Sequence, residues 1–233
     1  MAHAVAQRSR RPLAQPRTLA VLFLLALPAL CQAKANKPRN PKWTTLIKMA
    51  GVPGLARVSP DLYRAGQLTN EGVENLARAP FRIRTVVSLR LFHDDIRRLS
   101  PGLLTRYGMH YDRIRELAGF PRESEMVQFL GLVVTAPKPI LIHCNLGADR
   151  TGLLCAVYRV VFEGWTKDEA MTEMFGGDFH TSSFLGITEK RFFRRLDIAK
   201  LKRDAGLAAS PPPDATSGRS PATGLGHQAH QAL

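Results

Sequence analysis

Between residues 57 and 204 the spacing of apolar positions switches repeatedly between a period near two and a period near 3.6, and each switch marks a new element. Leu62-Tyr63-Arg64-Ala65 reads as a short strand. Thr69 then offers an N-cap to a helix running through Ala79, with Val73, Leu76 and Ala77 on one face. Thr85-Val86-Val87-Ser88-Leu89, β-branched and bounded by arginines, predicts a strand. A helix is expected over 95–107, interrupted at Ser100-Pro101-Gly102, and a weaker strand over 109–114. Met126, Phe129, Leu130, Val133 and Val134 share a stripe and predict a helix over 123–134. Residues 139–142 are a buried-strand run, and 151–163 an apolar helix ended by Gly164. Thr166 and Glu169 form a capping box that opens a helix through Phe175. One amphipathic helix is expected over 188–204, and Trp165 and Phe175 are expected in the core. Strands separated by helices predict an α/β domain: a central, mostly parallel sheet covered by helices on both faces.

Both ends differ from this middle. Residues 1–18 hold Arg8, Arg10, Arg11 and Arg17 and no acid; Leu19–Leu30 is a 12-residue apolar run, followed by Cys31-Gln32-Ala33. That order describes a signal peptide over 1–33, and so an exported protein, periplasmic or extracellular. A spanning helix needs roughly 20 apolar residues. The rival reading is an uncleaved anchor that associates the protein with a membrane. Residues 34–56 read as a linker and 57–204 as the folded domain. The tail, 205–233, has too few apolar anchors to pack and reads as disordered.

Charge adds little. The formal net charge is +14, but residues 43–204 hold 24 Lys/Arg against 18 Asp/Glu, so the flanking segments carry most of the excess. A basic excess suits nucleic acid, an anionic surface or a phosphorylated substrate. No aromatic-basic interleaving, zinc spacing or helix-turn-helix pattern supports nucleic acid. Cleavage of the signal would leave Cys144 and Cys155, which make no disulfide framework.

The chemistry lies in residues 143–152, HCNLGADRTG. In parallel sheets ligands bind beyond the carboxyl ends of the strands. The 139–142 strand would deliver His143 and Cys144 there, with a loop leading into the next helix. Backbone N–H groups of Asn145, Leu146, Gly147, Ala148, Asp149 and Arg150 could converge on one anion, helped by the positive helix end. Gly147 permits close backbone approach, and the Arg150 guanidinium can grip two phosphate oxygens. Thiols in such fields titrate at roughly 3.5–7.5 instead of ~8.5, so Cys144 is expected as an ionised nucleophile. A thiolate beneath a phosphate can attack phosphorus and form a phosphocysteine. Thr151 could donate its hydroxyl to the sulfur, and His143 could orient the loop. No metal or cofactor is required by this scheme. Cys155 reads as a packed core residue, with a redox partnership for Cys144 as a minor alternative.

HCNLGADRTG resembles the active-site signature of the cysteine-dependent protein tyrosine and dual-specificity phosphatases. Leu62-Tyr-Arg-Ala-Gly-Gln67, Thr85-Val-Val-Ser-Leu-Arg90 and Gly164-Trp-Thr-Lys-Asp-Glu-Ala170 extend the resemblance to the bacterial and atypical dual-specificity type. The resemblance covers roughly 57–201. It implies Cys144 as nucleophile, Arg150 as phosphate-binding arginine and 145–150 as the phosphate cradle (P-loop). It also implies an aspartate acid on a loop about thirty residues before the cysteine. Here that loop, Glu116-Leu-Ala-Gly-Phe-Pro-Arg122, has no aspartate. Asp149, Glu116 and Asp112 are the candidates, in that order.

The expected activity is a metal-independent phosphomonoesterase. The cradle has no lysine between Cys144 and Arg150, which tilts the substrate toward phosphotyrosine or mixed phosphoproteins. Phosphoinositides and small phosphate esters are the alternative. Sulfur transfer and a catalytically silent phosphate-binding module are the rival functions.

Overall fold

The structure, a computed structural model, describes residues 40–92, 98–179 and 183–207. The expected signal segment, His93-Asp94-Asp95, His180 and all but the first three residues of the expected tail lie outside those residues. Two compact units are distinguished, 1–43 and 44–233. In the first, 40–43 form a turn in which the Asn40 side chain accepts from the Lys42 amide at 3.0 Å.

The second unit is built on a five-stranded sheet of order β1-β2-β5-β3-β4. The strands are β1 (Ala56–Arg57), β2 (Leu62–Ala65), β3 (Thr85–Ser88), β4 (His110–Arg113) and β5 (Ile140–His143). β1 runs antiparallel to β2, and the other neighbours are parallel. Alternation of side chains across the sheet divides the core in two. Leu62, Val87, Ile140 and Ile142 face one cluster; Tyr63, Val86 and Leu141 face the other.

Seven helices are described: α1 (Asn70–Ala77), α2 (Leu103–Arg106), α3 (Glu123–Thr135), α4 (Asp149–Phe162), α5 (Lys167–Gly176), α6 (Ser183–Arg195) and α7 (Ile198–Asp204). α3 through α7 cover the first face with Phe129, Leu153, Met174, Phe193 and Leu201. α1 and α2 cover the second with Val73, Leu76, Leu103 and Leu104. The expected three-layer arrangement is present. Both sequence-legible caps form: Thr69 accepts from the Gly72 amide, and Thr166 with Glu169 makes the reciprocal box.

Four expectations are corrected. The 44–56 part of the expected linker is built into the domain, since Thr44, Val52 and Leu55 are buried and Leu46 bridges Ala56. The expected helix over 188–204 is two helices, because Asp197 breaks the chain and caps α7 by accepting from the Lys200 amide. Over 98–107 only Leu103–Arg106 is helical, after Gly102 in the left-handed region. Phe175 is 39% exposed and lies under the Lys190 ammonium, outside the core.

One buried ion pair ties these layers together. Arg159 of α4 donates to both carboxylate oxygens of Glu173 on α5 at 2.9 Å, and to the Val58 carbonyl at 3.1 Å. The Thr44 amide and hydroxyl donate to the same Glu173 at 2.6 and 2.8 Å. Burial opposes ionisation of Glu173, but the Arg159 and Thr44 hydrogen bonds hold its carboxyl below the usual range. Its stabilising contribution is therefore present above the unfolded carboxylate pKa and lost as pH falls through the lower folded value. Arg159→Ala strands this carboxylate, and loss of one partner of a buried pair costs about 3–5 kcal/mol. Urea unfolding at neutral pH should show that loss; an unchanged midpoint would contradict the role given to the pair.

Candidate active site

Parallel pairing brings the carboxyl ends of β2, β5 and β3 to one edge, with Ala65, His143 and Ser88 in register. Cys144 leaves β5 at that edge, 3% exposed. After it, Asn145 and Leu146 turn out to solvent, and Gly147 and Ala148 turn back under cover. Gly147 has φ +73°, and a Cβ there would sit 2.6 Å from the Ala65 carbonyl carbon and oxygen. Only glycine meets both demands. Its amide in turn donates to the Cys144 sulfur at 3.2 Å.

The loop is clamped from β2. Arg64 is 2% exposed, donates to the Gly147 carbonyl at 2.6 Å and lies 3.7 Å over the Phe179 ring. The Gln67 amide donates to the Asn145 carbonyl at 3.0 Å. Arg90, after β3, donates to the Gln67 side chain, and Arg113 of β4 donates to the Arg90 and Leu91 carbonyls at 2.9 and 2.7 Å. The resemblance marks Arg64 and Gln67 without assigning them a task, and their task is a tertiary one. Phe179, after α5, thus covers this clamp.

α4 begins at Asp149, two residues before its expected start, so Asp149 and Arg150 lie in the first helical turn. The Arg150 guanidinium reaches across to the Leu89 carbonyl at 3.0 Å. Thr151 is fully buried one residue on, and its hydroxyl has no hydrogen-bond partner among the described residues. The sulfur's hydrogen bond comes from the Gly147 amide, not from Thr151. His143 is buried with Nδ1 3.3 Å from the Cys144 carbonyl oxygen, consistent with an orienting task.

A cavity of about 480 Å³ opens over this loop, lined by Asn145, Arg150, Arg90, Arg98, Glu116 and Leu117 among others. Glu116, between β4 and α3, is completely buried, and neither of its oxygens is hydrogen-bonded to a described residue. Burial pushes its carboxyl well above the usual range; Glu125, Glu189 and Cys144 add to the rise, and Arg150 opposes it. Asp112 is placed within β4, paired with Val87. It is not among the residues that line the cavity. Cys155 is buried within the α4 core cluster, where desolvation raises its thiol pKa.

Residues 56–194 match the family model described as "DSP-PTPase phosphatase fused to NAD+ Kinase". Over 179 residues the chain is 36% identical to the dual specificity protein phosphatase TpbA of Pseudomonas aeruginosa (strain UCBPP-PA14), covering 73% of this chain and 76% of that one. The chain belongs to the dual-specificity phosphatase family. Among solved structures, P. aeruginosa TpbA superposes with TM-score 0.62 at 28% identity, covering 72% of this chain and 99% of its own. A Cys-to-Ser variant of TpbA in complex with pTyr gives TM-score 0.62 at 27% identity, covering 73% and 100%. The resemblance expected from HCNLGADRTG, the expected fold and the expected enzyme class all stand: this is a dual-specificity type phosphatase.

The clamp yields a prediction for this phosphatase. Arg64→Met keeps an unbranched apolar stem against Phe179 but drops the hydrogen bond to Gly147. A misplacement of about 1 Å in a catalytic loop costs on the order of 10²-fold in rate. Steady-state kinetics on an aryl phosphate should show that fall mainly in kcat, with circular dichroism unchanged; wild-type kcat would refute the clamp.

Proposed function

We propose that the protein hydrolyses phosphate monoesters of phosphotyrosine or mixed phosphoproteins through a phosphocysteine on Cys144. The observation that carries this reading is the Cys144 sulfur under the Gly147 amide, in a loop that runs directly into the first turn of α4, where Arg150 lines the cavity. An anion at this position meets the positive helix end and a bidentate cation. Arg150 and the amides of 145–150 hold the equatorial oxygens, and the sulfur attacks phosphorus. As the P–S bond forms, the P–O bond to the leaving group breaks and that oxygen takes a proton. Water then attacks the phosphocysteine, gives up a proton and releases inorganic phosphate, restoring the sulfur anion. His143 positions the loop, and Thr151 is available to donate to the departing sulfur.

The acid of this scheme is Glu116. Sequence order favoured Asp149, which instead begins α4, where an acid stabilises the helix end. A general acid must be protonated at working pH and reach the pocket. Glu116 lines the cavity beside Asn145 and Arg150, and burial keeps its proton on. It gives that proton to the leaving oxygen and regains one from solvent, while the attacking water gives its proton up to solvent.

Phosphotyrosine as substrate draws on the TpbA variant solved with pTyr. Arg90 and Arg98, which line the cavity with Arg150, favour a second reading, a ligand bearing more than one phosphate. The basic and apolar N-terminal run supports export, or retention at a membrane, so the substrate would be met outside the cytoplasm.

The wild-type enzyme should hydrolyse an aryl phosphate in the presence of a chelator. Vanadate and Cys144→Ser should each abolish that turnover, and activity surviving in the serine variant rules out the phosphocysteine route. Loss of a positioned acid costs about 10²–10⁴-fold. Glu116→Gln should show that loss on an alkyl phosphate and little on an aryl one, whose leaving group needs no proton. If Asp149→Asn or Asp112→Asn produces this split instead, the acid assignment is wrong. A panel of phosphopeptides, phosphoinositides and sugar phosphates separates the two substrate readings.

A further inference from the structure

α6 faces the core with Gly186, Glu189 and Phe193, a stripe of spacing three and four on which an apolar residue is the expected choice. Glu189 is 0% exposed, and neither of its oxygens has a hydrogen-bond partner among the described residues. An isolated buried carboxylate is costly enough that the group gives up its charge instead. The neighbours make the placement specific. A Cβ on Gly119, three residues after Glu116, would meet Leu185 Cδ2 at 2.9 Å and Thr188 Oγ1 at 3.6 Å, so the acid loop lies directly on this part of α6. Glu116 is the other carboxyl of this seam that is fully buried with both oxygens unpartnered.

We propose that Glu189 is the positioning partner of Glu116, the two buried carboxyls forming a coupled pair that keeps the acid's proton in place. This rests on the reading of Glu116 as the acid. The charged surroundings are those of a proton-holding pair beside the anion site. From α4 come Asp149, which raises the Glu189 pKa after burial has done so, and Arg150, which opposes both; together they leave Glu189 pushed up to about 8. From α3 comes Glu125, itself held by the Arg122 guanidinium at 2.7 Å, and from the end of β5 comes Cys144; both bear on Glu116. Lys167 of α5 meets the C-terminal end of α6, on the Arg194 and Leu196 carbonyls. Lys190, Arg191, Arg194 and Arg195 are on the exposed face of α6. Among the described residues no group of three or more His, Cys, Asp or Glu is arranged to hold a metal ion.

Two interacting carboxyls titrate as a pair. Once Glu189 ionises, its charge retains the proton on Glu116, so the acid survives into alkaline solution. Glu189→Gln removes that charge with little change of shape. The alkaline limb of the pH–rate profile for an alkyl phosphate should then move to lower pH, with a loss of roughly tenfold along that limb. The aryl-phosphate profile should stay put on that side, which a merely structural defect would not spare. Glu189→Asp keeps a titrating group and should restore the limb in part. An unmoved limb in Glu189→Gln overturns the pair, as does an equal loss on both substrates at every pH. Glu116→Gln, measured alongside, keeps the two claims apart: if it spares alkyl-phosphate turnover, the underlying acid reading fails instead. Should the Gln variant not fold, infrared titration of the wild-type enzyme decides. Protonated-carboxyl C=O bands at neutral pH that vanish in two separate steps on alkalinisation support the pair, and a single step or their absence at neutral pH overturns it.

Discussion

The seat of one turn, the chain at Gly147 packed against the carbonyl of Ala65, governs the rest of this structure. No side chain fits between them, and the left-handed backbone of Gly147 sends the following residues directly into α4. That turn aims its amide at the Cys144 sulfur and puts Arg150 in the first turn of the helix. Arg64 fixes the same turn from beneath by holding its carbonyl. A buried arginine is expensive, and here its charge is spent on peptide oxygens and an aromatic face instead of a carboxylate. The positive field under the loop is thus not cancelled by a counter-ion at that point.

The sheet makes this seat possible. Residues of β5 are in parallel register with both β2 and β3, so three strand ends arrive together and the loop has backbone on each side. Two well-packed faces supply the stability that the edge of the sheet does not. At that edge lie several buried polar atoms without hydrogen-bond partners among the described residues: Ser88, Thr151, Glu116 and Glu189. Such atoms cost stability wherever they occur. Glu116 among them lines the cavity over the loop, where a ligand could supply the missing partner.

Much of this was legible beforehand, and the reasons are local. The strands at 62–65 and 85–88, the caps at Thr69 and Thr166 and the loop of 143–152 each carry their instruction within a few residues. The missed features depend on tertiary neighbours. Glu189 shares a helical stripe with Gly186 and Phe193, but its burial comes from the packing of α4 and of the Gly119 loop on α6. Arg64 looks like one more basic residue until Phe179 and Gly147 close around it. The break at Asp197 was readable as an N-cap, but the amphipathic spacing on either side carried across it. Thr44, Val52 and Leu55 follow a Pro- and Lys-rich stretch and were absorbed into it, although Val and Leu there had no reason to be exposed. The order Asp149, Glu116, Asp112 was set without a loop's burial, which decides protonation and is not written in its composition.

The central claim is that the loop delivers a phosphoryl group to sulfur. Acid quench during the first turnover of an aryl phosphate, followed by peptide mass mapping, tests it most directly. The account predicts one phosphoryl group on the peptide containing Cys144, absent when Cys144 is replaced by serine. A phosphoryl group on any other residue of the active enzyme would contradict it.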